Sequence, residues 1–521
     1  MLDKLFRFPL HNPLHFLGCA LVVVGLPLNK VVMSIGTIWL ISNVVLEANY
    51  SLYWSKIKRN SILILVLLIF GLHLIGVLWS QDIEFAFKDI RTKLPLLALP
   101  LALIAKPLEK KYRLTVLLLF LVTLFITSGM NSFQLLSGKV AELGDIRYMS
   151  RFGSHIRYSL LIVFGFSIGG YFLFFQRNIA LKIIGFLSLV WFSYYMMISG
   201  VASGLIAWLG VIVTFIIVAI SRIRNKVFRY GTIVVSVGIL IALSWKTIQV
   251  FSTNFSGYDI ENLATHSTSG NDYFHDTSNV MLENGNPIML YIVEEELRAC
   301  WNAKSTLDYD GTDNKSQPLK ATLIRYLTSL GLRKDFDGCA QLTKEDVLNV
   351  EQGITSITAV EGGLNARIDE LKTEIYNYKM GNSPSGNSML QRIEYWKVAT
   401  YIIRNNFLFG VGTGDVQKEF NKGYEAINSP LESTYRNRTH NQFLAMWVAF
   451  GLVGFILFIL LWVLVLKNSI QNRNILGLTF AVISILSFLP EDTLETQQGV
   501  TFVSFFLGFI PWWTKRNEKW L

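Results

Sequence analysis

Two stretches of this 521-residue chain combine residue types that can do chemistry. The first reads Arg147-Tyr-Met-Ser-Arg151-Phe-Gly-Ser-His155-Ile-Arg157. Each arginine offers a planar fork of donors that matches phosphate oxygens, so the stretch suits an anion site. The same residues also suit headgroup contact at a membrane surface. Arg91 and Lys93 end an amphipathic stretch, 82–93, and can point to the same place. The second runs from Arg392-Ile-Glu-Tyr-Trp396 through Gly410-Val-Gly412-Thr-Gly414-Asp415 to Arg436-Asn-Arg438-Thr-His440-Asn441. The glycines permit close backbone approach. No strand–helix unit surrounds them, so a dinucleotide cradle is not expected. His440 is either a structural histidine or a proton acceptor, since imidazole titrates near neutral pH. No CxxC, HExxH, Walker or GxSxG motif occurs, and the seven histidines show no metal-ligand spacing.

The elements that position these clusters follow from hydropathy. Hydrophobic residues make up 52% of the chain and charged residues 16%, well below the roughly 25% charge of soluble domains. A spanning helix needs about 20 mostly apolar residues. About twelve such runs occur, near 14–29, 31–48, 61–79, 94–106, 113–130, 157–175, 180–198, 203–220, 230–249, 441–466, 475–489 and 499–513. The first run is followed at once by a second span, with no small-residue cleavage site between them. It reads as a permanent helix and not as a signal peptide.

With the N-terminus (Lys4, Arg7) in the cytoplasm, every alternate loop is basic, from Lys56, Lys58 and Arg59 to the tail Lys515, Arg516 and Lys519. This satisfies the positive-inside rule. Both clusters then lie on the outer side, where helices meet water. The acidic turn Glu491, Asp492, Glu495 falls there too.

Residues 251–440 contain no apolar run of 18 residues. They hold 25 acidic and 18 basic residues, a net −7 against +17 for the rest. The basicity is therefore topological and does not point to nucleic acid. The expected organisation is an all-α polytopic membrane protein. Spans one to nine occupy 1–250, an extracytoplasmic helical domain 251–440, and spans ten to twelve 441–521. Helices are expected near 289–302, 317–332 and 389–406, the last packed or lying on the membrane surface. Cys300 and Cys339 in the outer segment either pair or remain two free thiols.

Arg392-x3-Trp396, the Gly410–Gly414 turn, and His440-Asn441-Gln-Phe-Leu444 before a span carrying Gly451 and Gly454 resemble the O-antigen ligase superfamily. That superfamily includes O-antigen polymerases and protein O-oligosaccharyltransferases. The resemblance covers most of the chain, including the acidic turn Glu491–Thr496. The outer segment resembles a Bacteroidetes-type branch in Glu296-Leu-Arg298, Trp301-Asn302, Asp308-Tyr-Asp-Gly311, Leu323-Ile-Arg-Tyr326 and Arg333-Lys-Asp335.

The resemblance implies a GT-C-like membrane glycosyltransferase in the bacterial inner membrane. Both termini would be cytoplasmic and the large loop periplasmic. Its donor would be a glycan on undecaprenyl pyrophosphate, and its acceptor a hydroxyl on lipid A-core, another glycan or a protein. No cofactor or metal is implied, because arginine replaces the divalent ion. On this reading Arg91, Arg151 and Arg157 face the pyrophosphate and His440 the acceptor hydroxyl. His155, Arg392 and Arg438 are secondary candidates. One departure stands out: Ala202 occupies a position where the family often has Arg. Two other classes compete. A transporter of polyanionic lipids would use ionisable groups at mid-membrane, where His73 and Lys246 lie in or near spans. A receptor would bind through its outer domain alone.

Overall fold

The computed structural model describes residues 11–137, 150, 153–223, 225, 227, 262–278, 281–361 and 363–512. In chain order, the helices that matter here begin with α1 His11–Leu28, α2 Lys30–Glu47, α3 Ser61–Ile75, α4 Ile83–Ala105 and α5 Lys110–Leu136. Next come α6 His155–Phe175, α7 Ile179–Ser199 and α8 Ala202–Ser221. The stretch 251–440 supplies α9 Glu294–Lys304, α10 Leu319–Ser329, α11 Ser388–Asn405 and α12 Val416–Ala426. The chain closes with α13 Gln442–Gln471, α14 Ile475–Phe488 and α15 Gln497–Phe509.

Among the described residues, eight helices are long and apolar enough to cross a membrane: α1, α2, α3 with its 3-10 extension to Trp79, α5, α6, α7, α8 and α13. The expected fourth, eleventh and twelfth runs coincide with α4, α14 and α15. The last two are short, at 14 and 13 residues. The expected ninth run, 230–249, lies outside the described residues, as do Lys246, Lys4, Arg7 and the basic tail.

The chain divides into two compact units. One comprises Met1–Arg224, Glu394–Ser429 and Arg436–Leu521, the other Asn225–Ile393 with Pro430–Tyr435. In the first, α6 is the most enclosed of the eight long helices. Phe164 at its middle packs edge-on against Phe506 at 4.5 Å and Phe502 at 5.9 Å. α6 and α7 touch through glycines: a Cβ on Gly185 would lie 2.6 Å from the Gly169 carbonyl oxygen. Small residues of this kind let apolar helices approach without a hydrophobic driving force between them.

α13 is broken at Gly451, whose φ of 63° and ψ of −159° leave the helix. The glycine turn fills the break. The amides of Val411 and Gly412 donate to the carbonyls of Val448 and Ala449, each at 2.9 Å, and Leu452 donates to Phe407 at 2.9 Å. A Cβ on Gly451 would sit 2.2 Å from the Leu408 carbonyl, which excludes any other residue there. The turn then grips the gap between α3 and α4. Thr413 donates its hydroxyl to the His73 carbonyl at 2.8 Å. The Asp415 carboxylate accepts the amides of Gln81 and Asp82 at 2.8 and 2.9 Å.

The second unit is built on α9 and α10, which overlap the two expected helical stretches. Their apolar faces bury Leu297, Trp301, Leu323, Tyr326 and Leu327 in one core. A hairpin pairs β1 Leu282–Glu283 with β2 Asn286–Pro287. Cys300 and Cys339 are joined in a disulfide across 39 residues. The branch motifs of this segment are structural. Arg298 grips Asp310 with two bonds of 2.8 and 3.1 Å, and the Tyr326 hydroxyl donates to Asp346 at 2.7 Å. α11 is a packed helix: in its part from Glu394 on, which belongs to the first unit, Val398, Ala399, Ile402 and Ile403 are buried, whereas Trp396 is partly exposed.

Candidate functional site

The site forms in the first unit around the turn 489–496 that joins α14 to α15. Glu491, Asp492 and Thr493 are buried, although nothing in their residue types favours burial. Partners explain it. Gln442, in the first turn of α13, accepts the Leu494 amide at 2.7 Å. The Lys93 ammonium, on α4 and almost fully buried, donates to the Leu494 carbonyl at 2.7 Å and to Glu495 at 2.8 Å. It also lies 3.3 Å from Asp89, one helical turn earlier. Arg438 meets the other oxygen of Glu495 at 3.1 Å.

A second set of contacts occupies the neighbouring carboxylates. Arg157, in the first turn of α6, holds its two terminal nitrogens 3.6 Å from Glu491 and 3.4 Å from Asp492. His440 points Nδ1 at the same pair, 3.5 Å from Glu491 and 3.9 Å from Asp492. Its ring stacks on Tyr395 of α11 with centroids 5.5 Å apart. The segment is locked on both sides. Trp396 donates its indole N–H to the Thr439 carbonyl at 3.0 Å. Asn441 caps α13 by accepting the Leu444 amide at 3.0 Å, and its side-chain amide donates to Leu489 at 2.9 Å. His440 itself has φ 44°, a left-handed conformation rare outside glycine. Residues held there by their surroundings cluster at functional sites.

Asp89, Arg438, Asp492 and Glu495 line an open-sided space of about 440 Å3 that also touches His73 and Phe85. Burial alone pushes the Glu495 carboxyl up, but Lys93 and Arg438 outweigh it and hold it low, at about 2. Asp492 is raised instead. Its burial and the Glu495 charge exceed the help of His440, Arg438 and Arg157. One donor atom each from His440, Glu491 and Asp492 lie within 4.8 Å of one another, a spacing a cation could use. The Arg157 guanidinium already faces both carboxylates as their counter-charge.

Of the residues singled out from the sequence, the fold brings together His440, Arg157 and Arg438. Arg91 is exposed on α4, and its neighbour Lys93 is the one that enters the cluster. His155 is half-buried at the start of α6. Ala202 opens α8 and is exposed. Two residues on, Gly204 packs against Ser159, one turn of α6 below His155. Arg392 is half-buried in the part of α11 that belongs to the second unit. Arg151 lies outside the described residues. Sequence reasoning placed the acidic turn on the outer side without giving it a role in the site. Asp89 was missed altogether, and the signal for it was its i, i+4 spacing to Lys93.

Comparison with known proteins bears on this arrangement. A family model described as O-antigen ligase matches residues 353–459, a stretch holding α11, the glycine turn, His440 and the first part of α13. A Haemophilus influenzae protein described as uncharacterized is 28% identical over 170 residues, 30% of this chain and 42% of its own length. The match thus spans less than half of that relative.

Proposed function

We propose that this chain, a member of the O-antigen ligase-like superfamily, transfers a glycan from undecaprenyl pyrophosphate to an acceptor hydroxyl on the outer face of the bacterial inner membrane. The observation that carries the reading is the meeting of a guanidinium and an imidazole on one carboxylate pair, Arg157 and His440 on Glu491 and Asp492. Glycan transfer needs both groups. Charge develops on the diphosphate as the anomeric bond breaks, and fixed cations stabilise it. The acceptor hydroxyl needs a base within reach.

In this reading Arg157 faces the diphosphate, with Arg91, Arg151 and Arg438 in support, and no metal or cofactor takes part. His440 receives the acceptor proton, and His155 and Arg392 are peripheral. The chain crosses the membrane about twelve times, with about 20 residues per span and both termini in the cytoplasm. The outer segment, residues 251–440, lies in the periplasm. The basic alternate loops favour this orientation. The disulfide favours it too, because disulfides persist in oxidising compartments.

The test is incubation of the purified protein, in lipid nanodiscs, with glycan-loaded undecaprenyl pyrophosphate and three acceptors offered separately: lipid A-core, the glycan itself and a hydroxyl-bearing protein. Transfer to the first identifies a ligase, to the second a polymerase and to the third a protein-glycosylating enzyme. No transfer to any of them, with the donor bound or merely moved across the bilayer, rejects the reading.

A further inference from the structure

We infer that Glu491 is a positioning residue serving two catalytic groups at once: it orients the His440 ring and holds Arg157 until the donor's diphosphate takes that guanidinium over. The inference rests on the transferase reading and names a residue which that reading leaves without a role.

The geometry is specific. One oxygen of Glu491, Oε2, lies 3.5 Å from His440 Nδ1 and 3.6 Å from Arg157 Nη1. Glu491 is fully buried, so its carboxylate is shielded from water and its charge is felt by whatever lies against it. Several elements around His440 supply charged or aromatic groups. The turn 489–496 supplies Glu491, Asp492 and Glu495; α11 supplies Tyr395; α6 supplies Arg157; and the segment before α13 supplies Arg438. Glu491 and Asp492 come within 4 Å of the ring nitrogen.

Stacking on Tyr395 fixes the plane of the imidazole, and the carboxylate fixes which edge faces inward. Nδ1 then carries the proton toward Glu491, and Nε2 is the basic nitrogen turned away from the carboxylates. A buried carboxylate behind a base imidazole sets its tautomer and stabilises the imidazolium that forms. Catalytic hydrogen bonds are often longer outside the substrate complex than within it.

The reaction step balances as follows. The acceptor O–H proton passes to His440 Nε2 while the acceptor oxygen bonds the anomeric carbon. The bond from that carbon to the diphosphate oxygen breaks, and its electron pair leaves with the carrier diphosphate. Before donor binding, Arg157 is neutralised by Glu491 and Asp492. The diphosphate must therefore compete with these carboxylates for the guanidinium.

The experiment compares wild type, Glu491→Gln and Glu491→Asp in nanodiscs, using glycan-loaded undecaprenyl pyrophosphate as donor and the acceptor that wild type uses. Donor affinity is read separately from turnover. The expected result for Glu491→Gln is a divided one. Turnover falls by about 10²-fold, the lower end of general-base assistance. Donor affinity does not weaken, because a competitor for Arg157 is gone. Glu491→Asp keeps the charge and withdraws it, so turnover falls at least severalfold. Wild-type turnover in Glu491→Gln, or lost turnover together with weakened donor binding, overturns the inference. If Glu491→Gln fails to fold, full turnover in Glu491→Asp overturns it. A wild-type protein that transfers to no acceptor removes the transferase reading itself, an outcome distinct from indifferent Glu491 variants in an active enzyme.

Discussion

The Lys93 ammonium and the Glu495 carboxylate meet at 2.8 Å across 402 positions of the chain, with the lysine almost fully buried. Removing one member of a buried pair strands the other. Glu495→Gln should therefore lower stability by about 3–5 kcal/mol, read as a drop in melting temperature in detergent. The contribution also depends on pH. The folded carboxyl is held at about 2, below the ordinary carboxylate range. The stability it supplies is full above that range and is lost as pH falls toward 2. Wild type should lose melting temperature over this window more steeply than Glu495→Gln. Parallel curves would show that the pair contributes nothing.

His440→Ala should lower transfer by about 10²–10⁴-fold while donor binding persists. His440→Gln separates two roles: it stays poor if the ring accepts a proton and recovers if the ring only orients the acceptor. Near-full turnover in His440→Ala with saturating acceptor removes the residue from the chemistry.

Arg157→Ala should weaken donor binding at least tenfold, since a charge-assisted contact contributes about 1.5–3 kcal/mol. Arg157→Lys should rescue only part of this, because an ammonium cannot present the planar fork that now meets Glu491 and Asp492. Titration of the donor against each variant measures it, and unchanged affinity in Arg157→Ala takes the residue out of the donor site.

Reduction of the Cys300–Cys339 disulfide should loosen the second unit. Closing a loop of 39 residues stabilises a fold by about 4 kcal/mol in the chain-entropy account. Limited proteolysis of the intact protein should become faster within 290–350 after reduction. Equal rates with and without reductant would mean that the core around Trp301 and Tyr326 suffices alone.

Much of the helical framework was legible, because apolar runs of spanning length carry their own signal. Eleven of the expected twelve runs fall on helices within the described residues. His440, Arg157 and Arg438 were singled out as ionisable groups, and the fold brings the three together. The buried carboxylates were not. Glu491, Asp492 and Glu495 read as an acidic outer turn, and the groups that meet them, Lys93, Arg157, Arg438 and His440, come from distant stretches of the chain. The choice of Lys93 over Arg91 was equally hidden, since two positions along a helix turn a side chain to a different face. The disulfide was undecidable until α9 and the short helix Phe336–Ala340 were brought together.

The break in α13 has a consequence for motion. Val411 and Gly412 are bonded to the half of the helix before Gly451, and Phe407 to the half after it. These three bonds tie the turn to both halves of α13 at its kink, so the Val411, Gly412 and Leu452 amides should exchange with solvent deuterium more slowly than those at the helix ends.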